Sequence, residues 1–197
     1  VIPSIAAVIG LYLAYRGIDA WRREHTGKRR IELAEETLAM FYEVSDAIGA
    51  IRNPISHAGE ADEIDMMPGE TEEQFQARKR ASIAFIRYNQ YSELFGRLRS
   101  TRYRFMAMVG QQEAQPFDNI HAEARRVLAA ANSLSRLWAQ DIPMDEERAE
   151  RFQERIDRFE AIFWDGDEDD DQLKARVEQA VQAMEQTCRS IIKGALK

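Results

Sequence analysis

Apolar residues recur along this chain at spacings of three and four for most of its length, the period of a helix face that meets a core. From Ile31 the run is Ile31, Ala34, Leu38, Phe41, Ser45, Ile48 and Ile51, while Glu32, Glu35, Glu36, Glu43 and Asp46 fill the other faces. Pro54 predicts the stop, because the residue before a proline is pushed out of helical geometry. Thr71-Glu-Glu-Gln74 reads as a capping box, in which two side chains satisfy two orphan amides at a helix start. It predicts a helix running to about Gln112, ~60 Å long if straight, with Gly96 as the place for a bend. Its apolar residues, from Phe75 to Val109, spread over more than one face, so it is expected to be the most buried, central helix. Phe117, Ile120, Ala124, Val127, Ala131, Leu134 and Trp138 form the cleanest stripe. Phe152, Ile156, Phe159 and Phe163 carry the next helix, and Leu173, Val177, Ala180, Met184, Cys188 and Ile191 the last. No stretch alternates with the period of two that a strand needs. The expectation is an all-α, antiparallel helical bundle.

The first fifteen residues, VIPSIAAVIGLYLAY, are apolar apart from Ser4 and the tyrosine hydroxyls. They predict a single N-terminal transmembrane helix. At ~1.5 Å per residue the run covers ~22 Å, against ~30 Å of hydrocarbon, so a full span requires apolar residues upstream of Val1. Tyr12, Tyr15 and Trp21 stand where interfacial aromatics stand, and Arg16, Arg22, Arg23, Lys28, Arg29 and Arg30 follow at once. That is the positive-inside pattern, and the same cations suit anionic headgroups. Ala6, Gly10 and Ala14 recur every four residues, a stripe that lets membrane helices approach closely. The expected division is an anchor helix over 1–21, a basic juxtamembrane stretch over 22–30, and a cytoplasmic helical bundle over 31–197. His25-Thr26-Gly27, in the middle of the basic stretch, predicts a break or bend there. The alternative is a helix packed into the soluble core or against a protein partner.

Charge is unevenly distributed. The net is −7. Residues 1–30 carry six basic and two acidic groups, and residues 31–70 one basic and ten acidic. Residues 77–109 carry eight basic and one acidic, and residues 140–171 four basic and fourteen acidic. A nucleic-acid helix should collect its cations on one face. Here Lys79, Arg97 and Arg104 fall together, Arg80 and Arg87 fall together, and Arg78 and Arg99 point elsewhere. That scatter disfavours nucleic acid and fits pairing with the acidic segments, within the chain or between subunits.

Motifs for chemistry are sparse. Asp165, Asp167 and Asp169 match the first ligand positions of a calcium loop, but Asp170 stands where glycine is needed and Arg176 where glutamate is needed. The run reads instead as an acidic loop over 165–171 whose last aspartates cap the final helix. No Glu-x-x-His pair exists for a carboxylate-bridged metal site. Asp118-x-x-His121 is a single near miss, and His121 reads as a surface histidine near a helix start. Cys188, the one cysteine, lies on an apolar stripe and reads as a buried hydrophobe. No nucleophile elbow, phosphate loop or dinucleotide fingerprint is present.

No catalytic residue, cofactor, metal or small-molecule substrate is therefore expected. The long loop over 52–70 is left as a partner contact, through His57, Met66 and Met67. The function these features suggest is non-catalytic: a membrane-anchored accessory or structural subunit at the inner face of the cytoplasmic membrane, with its N-terminus outside. Its expected partners are lipid and either another protein or further copies of itself. A soluble helical adaptor is the alternative.

Overall fold

A computed structural model describes residues 2–57, 59–142, 145–166 and 171–195. The first helix, α1, runs from Ile2 to Arg52 without interruption. Pro3 sits in its first turn, where a missing N–H leaves no bond unmade. The break expected at His25-Thr26-Gly27 does not occur. A helical glycine costs about 1 kcal/mol relative to alanine. Glu24, Lys28, Arg29, Arg30 and Glu32 are good helix formers that absorb this, and Lys28 Nζ lies 4.0 Å from Glu32 one turn on. At ~1.5 Å per residue, α1 is ~76 Å long. Among its described side chains, α1 enters the core from Leu33 onward.

The remaining helices among the described residues are α2 (Glu72–Gln90), α3 (Ser92–Met108), α4 (Gln115–Leu137), α5 (Glu146–Phe163) and α6 (Gln172–Ala195), and no strand accompanies them. Thr71 and Gln74 form the expected capping box, at 3.3 and 3.1 Å. The single helix expected beyond it is in fact two. They meet at Tyr91 rather than at Gly96. Asn89 and Ser92 beside the junction are weak helix formers, and Tyr88 stacks on Phe95 across it, with ring centroids 4.7 Å apart.

Nor is this pair the centre of the fold. That place belongs to α4, which packs against α2, α5 and α6. Its expected stripe is buried from Phe117 to Leu134, with Trp138 half-buried. Phe41, Phe105 and Phe117 bring α1, α3 and α4 together, Phe117 lying 5.0 Å from Phe41 and 5.6 Å from Phe105. The stripe of α6 lies along α1, with Leu173, Val177, Ala180, Met184 and Cys188 all buried. The two run antiparallel: Arg52 ends α1 beside Asp171, which opens α6.

The scattered cations of α2 and α3 pair chiefly with the acidic stretch 31–70. Arg78 meets Glu70, Lys79 meets Asp62 and Arg87 meets Glu60. Arg97 meets Glu43 and Arg104 meets Glu36, the crossing that makes α3 antiparallel to α1. Among the described residues none of them forms an ion pair with 140–171. Arg80 instead lies over Trp138, 4.1 Å from the ring centre. The Arg97 and Arg104 pairs are exposed on both sides, and water screens such pairs to at most about 1 kcal/mol. Arg97→Gln and Arg104→Gln should each lower urea-unfolding stability by less than that. A loss above about 2 kcal/mol would give these bridges a weight that exposed pairs do not have.

Among the described residues no helix is long and apolar enough to cross a membrane. The spanning helix expected from the sequence therefore has no support among these residues. The helix itself is long, but its apolar stretch stops at Tyr15, and Arg16 and Asp19 follow.

Candidate functional site

The first candidate is the part of α1 that leaves the bundle. The side chains described from Tyr12 to Arg30 are exposed, Gly27 being the one half-buried position. Tyr15 is 67% exposed, Trp21 62%, Tyr12 57% and Ile18 54%. Packing of this segment into the chain's own core is therefore not what is observed. A helix cannot bury a face that no neighbour covers, and the described side chains from Tyr12 to Thr26 are exposed. The aromatics partner their own helix instead. Arg16 lies over Tyr12, 5.7 Å from the ring centre, and Trp21 stacks on His25 at 5.4 Å. Arg16, Arg22, Lys28, Arg29 and Arg30 are all exposed, as is Ala14. The side chains of Arg23 and Ala6, and the surroundings of Gly10, lie outside what the structure describes.

The bundle adds cations at the same level. Equal numbers of residues separate Arg30 from Arg52 on α1 and Lys193 from Asp171 on antiparallel α6. Lys193 thus comes level with Arg30. Arg189, Ser190 and Lys193 line a shallow cleft of about 540 Å³ at that end.

The second candidate, the loop 52–70, is held more firmly than its composition suggests. Arg87 fastens it to the end of α1 through Glu60 and four backbone carbonyls. Lys79 holds Asp62 at 3.0 Å. Arg78 grips Glu70 with two bonds of 2.7 and 2.8 Å and donates to the Asp65 carbonyl. The Arg78 bonds, with the Met67 amide, hold the Glu70 carboxyl down to about 2. His57, Met66 and Met67 remain exposed on this pinned loop. His57, Glu60, Asp62, Lys79 and Arg80 help line a cleft of about 250 Å³. The structure brings His57 to that cleft, whose lining includes neither Met66 nor Met67.

The chemistry sought from sequence lies elsewhere. Asp171 caps α6, its carboxylate accepting from Lys174 N–H at 2.9 Å. Residues 167–170 of the acidic loop lie outside the described residues. Cys188 is fully buried, and burial pushes its thiol up to about 11, far from a nucleophile's range. Among the described residues no three His, Cys, Asp or Glu side chains converge as metal ligands would. His121 corrects the sequence reading. It is half-buried in the seam between α3 and α4, because Phe95 of α3 covers it, with ring centroids 6.4 Å apart. Sequence reasoning also passed over Arg52 and Arg87, the two most deeply set cations. No protein-family model, curated protein or solved structure matches this chain.

Proposed function

We propose that this chain is a non-catalytic interaction protein seated at a membrane by the N-terminal part of α1. The observation that carries the reading is the unpartnered end of that helix. Exposed Tyr12, Tyr15, Ile18 and Trp21 are followed by the cations from Arg22 to Arg30. Tyrosine and tryptophan favour the headgroup level, and each basic side chain near an anionic surface contributes about 1 kcal/mol. Apolar residues up to Tyr15 would enter the hydrocarbon. The basic collar would stay on the cytoplasmic side. The stretch from Tyr15 to Leu33 then acts as a rigid helical spacer of ~27 Å between the membrane and the core.

Such a geometry suits an accessory subunit of a larger membrane assembly. Tethering raises the effective concentration of the bundle next to other membrane proteins, so modest contacts suffice. The pinned loop with His57, Met66 and Met67, on the side of the bundle away from the stem, is the surface offered to such a partner. Homo-oligomerisation through Ala6, Gly10 and Ala14 is the corresponding role for the membrane end.

Fractionation of the native protein, followed by salt and alkaline washing of the membranes, tests this. Retention until detergent is added supports the anchor. Release by alkali overturns it and favours a soluble adaptor. A variant sharpens the result. Ile5→Lys with Ile9→Lys should move the protein to the soluble fraction, since a cation at mid-membrane costs about 2.5–3.5 kcal/mol. Its urea midpoint should stay that of the parent chain, which separates loss of the anchor from loss of the fold.

A further inference from the structure

The cations of α2 and α3 are matched one by one, with a single remainder. Arg78, Lys79, Arg87, Arg97, Arg102 and Arg104 each meet a carboxylate, and Arg80 meets a tryptophan. Among the described residues Arg99 meets neither. It lies between Phe95 and Arg102 on the face of α3 that looks toward α4. The opposing face of α4 presents Asp118, His121 and Arg125, at the spacing of successive turns. Two contacts fix the register. Arg102 Nη2 donates to Asp118 Oδ2 at 2.8 Å, and Phe95 covers His121. Arg99 therefore falls between the levels of Asp118 and His121, and Arg125 lies one turn beyond His121 along α4.

Three guanidinium groups, Arg99, Arg102 and Arg125, lie near enough to act on the His121 imidazole, and the one carboxylate beside it, Asp118, is already held by Arg102. Two buried nitrogens of this seam, Arg102 Nε and His121 Nε2, have no hydrogen-bond partner among the described residues. Burial and then the charges of Arg99, Arg125 and Arg102 hold the imidazole below its ordinary range, with Asp118 opposing them. What would balance the cluster is a compact negative charge with several acceptor lone pairs. Arg99 and Arg125 are exposed, so such a group can approach from solvent. Two planar guanidinium forks suit the tetrahedral oxygens of phosphate.

We infer that the seam between α3 and α4 binds an oxyanion of the phosphate class, held by Arg99 and Arg125 with His121 protonated beside them. The inference is independent of the membrane reading, since it rests on the bundle alone. An anion bound preferentially to the protonated imidazole must raise the histidine's midpoint by linkage. The full-length protein can be titrated by NMR at the His121 ring proton, assigned through His121→Gln, in chloride and in inorganic phosphate at equal ionic strength. The midpoint should lie below 6.5 in chloride and rise by about one unit in phosphate, a roughly tenfold preference for the charged form. In Arg99→Gln with Arg125→Gln the chloride midpoint should rise, as two repelling charges are gone, and phosphate should no longer move it. Phosphatidic acid vesicles form the second arm. A shift with vesicles but not with free phosphate assigns the site to a lipid headgroup. No shift in either arm, or a shift that survives the double substitution, overturns the inference.

Discussion

Arg52→Ala is expected to destabilise the bundle by about 3–5 kcal/mol, the range for removing one partner from a buried ion pair. Arg52 is 1% exposed. Its Nε donates to the Ile162 carbonyl at 2.9 Å, and its Nη2 donates to those of Ala161 and Trp164 at 3.1 and 2.6 Å. These carbonyls belong to the last turn and C-cap of α5, where the helix dipole is negative and the orphan acceptors need donors. Its Nη1 lies 2.7 Å from Asp171 and 3.6 Å from Asp165. The backbone carbonyl of Arg52 accepts from the Asp165 amide at 2.8 Å. One residue thus ties the end of α1 to the end of α5 and the start of α6.

Truncation leaves a buried carboxylate and three carbonyls without their donor. The deficit should depend on pH. In the native protein burial pushes Asp171 up, but the Arg52 bond and the Lys174 amide outweigh it, and the carboxyl sits below 3.8. That contribution is therefore present above 3.8 and lost as pH falls through the folded value. Without Arg52, burial wins and the carboxyl rises. The folded variant then takes up a proton more readily than its unfolded chain, so its deficit should shrink from pH 7.5 to pH 5. Arg52→Met with Asp171→Asn should recover the part of the loss due to the buried carboxylate, because no charge is left buried, while the three carbonyls stay without their donor. Urea unfolding of the parent chain and the two variants at both pH values measures this. A loss below about 1 kcal/mol for Arg52→Ala would show that water replaces the arginine without cost.

Periodicity could not have found this latch. The stripes of α4 and α6 were legible because apolar residues at three- and four-residue spacing have one place to go. An arginine at the end of such a stripe looks like the first residue of a loop. Its burial depends on α5 and α6, more than a hundred positions away. Arg87 was hidden in the same way among solvent-facing cations, and His121 among polar neighbours that Phe95 covers. Local strength misled in the opposite direction at Gly27, where flanking helix formers carried α1 through. The apolar run and its basic collar raised the membrane question from sequence, and only the structure could show that the described side chains from Tyr12 to Thr26 are exposed.

Arg87→Ala is expected to cost about 3 kcal/mol and to loosen the one long loop. Arg87 Nη1 donates to the carbonyls of Ala50, Ile51 and Asn53, and Nη2 to that of Ile55 at 2.8 Å. These are the acceptors left open where Pro54 stops α1. The same guanidinium holds both oxygens of Glu60. That hydrogen bonding, opposed by burial, sets the Glu60 carboxyl below 4.5. Its stabilising share is present above 4.5 and fades as pH falls through the lowered value. Hydrogen exchange gives the local readout. The amides of Glu60, Asp62 and Ile64 bond to the carbonyls of His57, Gly59 and Ala61 within the loop. Their protection should fall in the variant by more than that of Phe117 or Leu134 in α4. Lysine should not restore it, because one ammonium cannot reach the carbonyls and both carboxylate oxygens together. Equal loss of protection across loop and core would mean that Arg87 supports the bundle as a whole and not the loop. The variant also bears on function. If His57 and the adjoining loop contact a partner, Arg87→Ala should abolish that contact, although Arg87 itself is buried. Under the proposed anchoring through the far end of α1, membrane retention should remain.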